Sequence, residues 1–388
     1  MTSTIKADVV TAQTTNGNVT LQGNGTGTVA IGDNTAITGT ATVSSTLGVT
    51  GATTLSGQAY PTAGGLWSGR NMVINGSQAV SQRGTSTTSV TSSAYFTDRW
   101  QLNFSGTIGA ATVTQATDSD LPGFPKNLKI DVTTADASLA AGDRLLLRYA
   151  MEGQDAQRMK KGTASAEKVT LSFWVKATKT GTNVVEFFDN DNSRHTNAQY
   201  TVSSSDTWEH KTITFPADTT GTLGDDNNSS IFIFFGIACG TTWTSGSIQS
   251  SWASSVAANR FPGQVNNFDS TSNNFQITGV QLECGEAATP FEFESYGETL
   301  QKCKRYYQVV QAMNRSPMST GSQYNMVTFN VIEMRSVPSN TLTAGSRSNV
   351  TGTPTISFAN GVSGYHQMQG SAAGGYAFNE VIKLDAEL

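Results

Sequence analysis

The chain has 388 residues, only 14% of them Asp, Glu, Lys or Arg, and a formal net charge of −5. A polar surface made of Ser, Thr, Asn and Gly rather than charge suits strands and turns, not a helical or typical metabolic protein. No Lys/Arg cluster stands out beyond Lys302, Lys304 and Arg305, so a nucleic-acid binder, which needs a basic patch, is excluded.

Residues 1–60 are low in complexity and carry Ile31, Ile37, Val43, Val49 and Leu55 at a spacing of six. Small residues recur at the fifth position of each hexad (Thr35, Ala41, Thr53, Ala59), with Leu47 the exception. A period of six matches neither the 3.6 of a helix nor the 2 of a half-buried strand. It places one apolar side chain per short strand-plus-turn. Five hexads are too few for a single-chain repeat fold to bury its own core. Three readings follow: three chains wound together, an independent β-helix, or disorder. The expectation is a homotrimeric β shaft with those five residues on its axis. The weaker pattern at Val9, Val10, Val19 and Leu21 is where an attachment peptide would lie.

Residues 61–70, with Pro61, Gly64 and Gly65, read as a neck. From 71 to 294 the pattern is strand-rich. Val169, Leu171, Phe173 and Val175 alternate, as do Phe275 and Ile277, and the run Ile231–Cys239 reads as a strand buried on both faces. Many short antiparallel strands over some 220 residues predict a jelly-roll β-sandwich. Thr299–Gln311 lacks Gly and Pro and spaces Leu300, Cys303, Tyr306, Tyr307 and Val310 along one helical face, so 295–311 is predicted to be a connector helix. Residues 312–388 return to strands and form a smaller C-terminal β tip domain.

Cys239, Cys284 and Cys303 are too few for a disulfide framework or a zinc site and read as buried reduced thiols. Met1–Val10 lacks the apolar core of a signal peptide, and Ile231–Cys239 is far shorter than the ~20 residues of a membrane span. The expectation is folding in a reducing cytosol with a surface suited to the outside of a cell, without membrane insertion. A virion component released by lysis meets both conditions.

Several segments together carry a resemblance. Asn71-Met72-Val73-Ile74-Asn75-Gly76, Gln82-Arg83-Gly84-Thr85, Tyr95 and Asp98-Arg99-Trp100 resemble the opening of a jelly-roll module of phage tail-fibre and related virion proteins. Thr170–Lys176, Asp206–Glu209, Ile277–Glu283 and Thr289–Glu292 resemble its later strands, and Cys303–Tyr307 its closing connector. Glu333-Met334-Arg335 with Pro338, and the segment Asp385-Ala386-Glu387-Leu388, are similar to the next β-module. The resemblance spans about residues 70–388. It implies a carbohydrate-binding-module-like sandwich, an assembly role in a fibre and often adhesion. It names no ligand and does not place the fibre on tail or head.

The search for chemistry finds little. His195, His210 and His366 have no metal-ligand spacing, and no phosphate loop, nucleophile elbow or His-Glu-x-x-His is present. A polysaccharide-degrading spike would need two facing carboxylates, so Asp189, Asp191, Glu283, Glu286, Glu292 and Glu294 are the residues to place. Asp189-Asn190-Asp191-Asn192 has oxygen ligands spaced like part of a calcium loop but lacks the later bidentate Glu, and a plain turn is expected. No cofactor, metal or catalytic residue is predicted.

Sugar binding suits this surface better, through aromatic faces on pyranose rings and amides on hydroxyls. Trp243 and Trp252 stand in the small, polar stretch Cys239–Ser255, either as loop anchors or as exposed platforms. Trp174 and Trp208 are expected in the core or an interface. Tyr365, His366 and Tyr376, with Phe378, would be the contacts if the tip meets a host. The resulting expectation is a phage tail fibre: homotrimeric, mainly β, assembled in the host cytoplasm, anchored to the virion by its N-terminal segment and binding a host polysaccharide or receptor without chemistry. The alternatives are a head fibre or capsid decoration protein without a dedicated receptor, and a polysaccharide-degrading tailspike.

Overall fold

The computed structural model describes residues 53–55, 58–60, 69–318, 324–358, 361–371 and 374–388. Ile31, Ile37, Val43 and Val49 of the expected axis, and most of the expected neck, lie outside the described residues. Leu55 ends a three-residue strand, β1 (Thr53–Leu55), which pairs antiparallel with β2 (Gln58–Tyr60).

Between Ser86 and Cys284, alternating apolar residues build a two-layer sandwich. Its strands are β3 (Ser86–Val90), β4 (Ala94–Tyr95), β5 (Trp100–Ser105), β6 (Ala110–Thr117), β7 (Lys126–Thr134), β8 (Arg144–Glu152), β9 (Val169–Ala177), β10 (Gly181–Asp189), β11 (Arg194–Val202), β12 (Glu209–Phe215), β13 (Ser229–Cys239), β14 (Ala253–Ser254) and β15 (Asn274–Cys284). One sheet has seven strands in the order β14-β11-β10-β13-β8-β5-β4, the other six in the order β12-β9-β15-β7-β6-β3. The chain passes back and forth between them, as in a jelly roll. Two helical turns, α1 (Gly153–Ala156) and α2 (Thr241–Thr244), sit in its loops.

The core lies between the sheets. Val169, Leu171, Phe173 and Val175 of β9 all point into it, as their alternation predicts, and meet Ile233, Phe235 and Ile237 of β13. Phe173 packs edge-on against Phe235 with ring centres 5.1 Å apart. Trp100 is fully enclosed and donates its indole N–H to the Asn75 carbonyl at 3.2 Å, so its polar edge is satisfied inside the core. Burying rings of this size stabilises by about 1.5–3 kcal/mol each.

The segment Asn71–Ser77 works as a clip. The Asn71 side chain accepts from Val73 N–H at 2.9 Å and from Leu282 N–H at 3.1 Å, tying the segment to β15. Asn75, at φ 59°, donates to the carbonyls of Val80 and Asp98, both at 2.9 Å. A Cβ at Gly76 would stand 2.0 Å from the Val280 carbonyl oxygen, so only glycine lets the backbones approach this closely.

The connector helix is shorter than its apolar spacing predicts. α3 (Tyr296–Lys304) opens on a capping box, with Ser295 and Glu298 each accepting from the other's backbone N–H, and stops before Tyr306. Tyr307 already begins β16 (Tyr307–Met318), whose twelve residues pair with β22 (Gly374–Asp385). That ladder, with the β-branched pair Val309–Val310, outweighs the helical spacing that continues through Val310.

The remaining strands are β17 (Tyr324–Asn330), β18 (Ser339–Thr343), β19 (Arg347–Ser348), β20 (Val350–Phe358) and β21 (Ser363–Gly370). They form a sheet ordered β16-β22-β18, with β19 also on β22, and a three-stranded sheet ordered β17-β21-β20. Ala312, Met334, Met368, Phe378, Ile382 and Leu384 fill the core between them.

The last residues return to the sandwich. Glu387 pairs with Arg83 at 3.3 Å and with Arg99, and Arg335 donates to the Ala386 carbonyl at 2.8 Å and to the Asn227 carbonyl at 2.9 Å. Tyr95 and Arg148 both donate to the Leu388 carbonyl oxygen.

Candidate functional site

The side chains that turn away from the core of the seven-stranded sheet form ordered rows. Strand register places Asn197, Glu186, Phe234, Arg148 and Gln101 side by side across β11, β10, β13, β8 and β5. Next to it Gly236, Leu146 and Asn103 pair across β13, β8 and β5, while Gln199 pairs with Val184 across β11 and β10, where the Val184 N–H donates to the Gln264 side chain at 2.8 Å. Two residues along β8 from Leu146 stands Arg144. The apolar members, Leu146, Ala150, Val184, Phe232 and Phe234, make a second small core with Phe261, and Phe188, Trp243 and Leu388 border it. This outer core explains why β13 is buried on both faces.

Guanidinium groups lie over its rings. Arg144 sits 4.2 Å from the centre of Trp243, Arg148 5.0 Å from Phe232, and Arg260 4.9 Å from Phe188. Such cation–π contacts contribute about 0.5–2 kcal/mol, more as water is excluded. Arg260 also donates from Nε to Glu186 at 2.8 Å, and His195 meets the same carboxylate through Nδ1 at 2.8 Å. Burial alone would raise the Glu186 carboxyl; Arg260 and His195 hold it below the usual range. Arg144 is shifted down, first by burial and then by the like charge of Arg260. Gln101 and Asn103 are half-buried beside them and supply amide donors and acceptors. Chemically the face offers apolar surface, amides and guanidiniums, a set that recognises hydroxyls and anions.

Trp243 belongs to this face. It is half-buried on α2 and donates its indole N–H to the Gly142 carbonyl at 3.0 Å. Trp252 lies elsewhere: its N–H reaches the Pro216 carbonyl at 2.8 Å, its ring contacts Phe187, and Lys161 stands 4.6 Å above it. It anchors its loop to the main core. His366 is fully enclosed in the C-terminal β-domain and bonded through Nε2 to Glu380, which also pairs with Arg347, so its ring is held inside rather than offered to a ligand. Tyr365 is half-buried on β21. Tyr376 lies on β22, where its backbone pairs with Ser316; its side chain is outside the described residues. A separate groove of about 290 Å³ in the C-terminal domain is lined by Met313, Arg315, Ser346 and Phe378 among others.

The carboxylates are spoken for. Asp189 pairs with Lys161 and accepts from Asn192 N–H at 3.0 Å, closing the β10–β11 turn. Asp191 accepts from Gly224 N–H at 2.9 Å. Glu283 accepts from Thr289 N–H at 2.8 Å, Glu292 from Asn71 N–H at 2.8 Å, Glu286 pairs with Lys168 at 2.8 Å, and Glu294 pairs with Lys302. Among the described residues no three His, Cys, Asp or Glu side chains are grouped to hold a metal, and no helix is long and apolar enough to cross a membrane. Burial raises all three thiols, Cys284 to about 11.

Arg144, Arg148, Phe188 and Arg260 were not predicted from sequence. A signal was present for two of them: in Arg144-Leu145-Leu146-Leu147-Arg148 a strand period of 2 puts both arginines on the side opposite Leu145 and Leu147. Arg260 reaches the face from a loop, and only the fold shows it.

No protein-family model matches the chain, and no curated protein matches it. Among solved structures it is similar to the enzymatically active domain of tailspike protein 4 of bacteriophage CBA120, at 14% identity and a TM-score of 0.31, over 55% of this chain and 21% of that one. The chain thus spans about a fifth of that tailspike's length. It is also similar to the carbohydrate-binding module TmCBM61 in complex with β-1,4-galactotriose (10% identity, TM-score 0.29, 56% of this chain and 99% of that one). A family 11 carbohydrate-binding module from Clostridium thermocellum, in complex with a mixed-linked tetrasaccharide, matches at 12% identity and a TM-score of 0.26, over 50% and 91%. The protein is a mainly β protein built on an antiparallel β-sandwich.

Proposed function

We propose that this protein is the adhesion subunit of a phage tail fibre and that the outer face of its seven-stranded sheet binds a host-surface glycan. The observation that carries the proposal is the row structure of that face. Amides at Gln101 and Asn103 and guanidiniums at Arg144 and Arg148 line an apolar floor of Leu146 and Phe234, with Trp243 at its border. Amides and guanidiniums hydrogen-bond sugar hydroxyls, while apolar and aromatic surface takes the pyranose C–H faces.

The role is binding without chemistry. The N-terminal hexads form a three-chain shaft held on the virion, and three copies of the face share one stalk. Joining weak sites in this way can raise attachment by about 10²–10⁴ over a single site.

The test is calorimetric titration of the intact protein with polysaccharide extracted from candidate host cells. Saturable binding that falls at least tenfold in Asn103→Ala or Trp243→Ala supports the assignment. Unchanged binding in both variants moves the site elsewhere, and steady release of reducing ends from the polysaccharide overturns binding without chemistry.

A further inference from the structure

Positive charge on the sheet's outer face exceeds what its own residues neutralise. Arg260 is matched by Glu186, and that carboxylate is also bonded to His195. Arg144 has no such contact: among the described residues no carboxylate lies within 4.0 Å of its guanidinium, Glu186 acts on it only from further away, and its buried Nε has no hydrogen-bond acceptor. Its sequence neighbour Asp143 is turned into the preceding loop, where it accepts from Ala140 N–H at 2.9 Å. Arg148, four residues further on the same side of β8, is held by Tyr95 and the Leu388 carbonyl, yet its Nε too is buried without an acceptor.

A half-buried guanidinium held over an indole is restricted in orientation, and its two terminal N–H groups can meet a planar anion through two parallel bonds. Leaving such donors unmet in a water-poor site is costly, and a second cation nearby adds to the cost. An anion supplied by a ligand relieves both. We infer that the glycan taken by this face is acidic, with a sugar carboxylate of the hexuronate type seated on Arg144. The inference rests on the glycan-binding reading above and adds the charge of the ligand to it.

The experiment titrates the intact protein with tetrasaccharides of galacturonate, glucuronate and guluronate, and with neutral galactose and glucose tetramers, at 20 and 300 mM NaCl. At least one uronate should bind ten or more times tighter than its neutral counterpart, and the preference should shrink at high salt as screening increases. Arg144→Gln should abolish the preference while the protein keeps a cooperative thermal transition. Arg144→Lys, which keeps the charge but not the fork, should restore part of it. Neutral tetramers bound as tightly as uronates, or a preference that survives Arg144→Gln, overturns the acidic assignment and leaves glycan binding standing. Absence of binding by every tetramer overturns both.

Discussion

The buried guanidinium of Arg99 is paired with Glu387, 288 positions further along the chain. Arg99 is 1% exposed, adopts φ 75°, stacks 3.4 Å from the ring centre of Tyr306 and donates to the Ala150 carbonyl at 2.6 Å. Burial opposes its charge, and Glu387 holds its pKa up regardless. One buried guanidinium therefore joins the sandwich to the turn after α3 and to the C-terminal residues.

Glu387→Gln should cost about 3–5 kcal/mol, because it strands Arg99 as a buried, uncompensated cation. Urea unfolding followed by tryptophan fluorescence reads the loss. A change below about 1 kcal/mol would mean that this pair does not hold the two regions together. Glu167→Gln, which breaks only the exposed pair with Lys160, is the control and should leave the midpoint in place.

Acid should act first on the cluster under Trp252. Lys161 is buried between Asp189 and Asp218, and Arg194 grips Asp218 with two bonds of 2.9 and 3.0 Å. Burial would raise the Asp218 carboxyl, but Arg194, Lys161 and Thr220 hold it down to about 2. A carboxyl whose folded pKa lies below its unfolded value stabilises fully above the unfolded pKa, near 4, and loses that contribution as pH falls toward 2. Thermal midpoints of the wild type should therefore drop between about pH 4 and 2. Asp218→Asn should start lower at pH 7 and drop less over that window. Parallel curves for the two proteins would remove Asp218 as the responsible group.

The two loop tryptophans should separate in their effects. Trp252→Ala removes a ring lodged against Phe187 and the hydrogen bond to Pro216, and should cost about 3 kcal/mol of stability. Its glycan affinity, measured well below the melting temperature, should stay within twofold of wild type. Trp243→Ala should lose less stability and at least tenfold in affinity. The reverse pattern would exchange their roles.

The hexads predict assembly rather than folding of the sandwich. Val43→Asp or Val49→Asp would bring three charges together on one buried axis of the proposed shaft, at a cost of several kcal/mol. Sedimentation should show a trimer for the wild type and smaller species for the variants, with the sandwich's near-ultraviolet spectrum kept. A monomeric wild type at micromolar concentration would remove the shaft.

Much of the sandwich was legible because strand alternation is a local signal. Val169, Leu171, Phe173 and Val175 declare which way β9 faces, and the unbroken run Ile231–Cys239 declares that β13 is covered on both sides. The helix was legible at its start, where Ser295 and Glu298 form a capping box, but not at its end. Leu300, Cys303, Tyr306 and Val310 keep a helical spacing, and what cut the helix short was β22, some seventy residues away.

The site was legible only in part. Trp243 was visible as an indole in a polar stretch, yet nothing local distinguishes it from Trp252; the difference is that one lies on Arg144 and the other under Lys161. His366 had the composition of a surface contact and is a core group, because Glu380 meets it from β22 in the other sheet of the C-terminal domain.

By itself, then, the sequence determined what depends on residues within a few positions of one another: strand faces, turns, where the helix begins and the hexad period. The tertiary structure alone decided where charges meet. Electrostatic pairing acts through space and carries no periodicity, so Arg99 with Glu387, Arg260 with Glu186 and the unmatched Arg144 became visible only once the strands were in register.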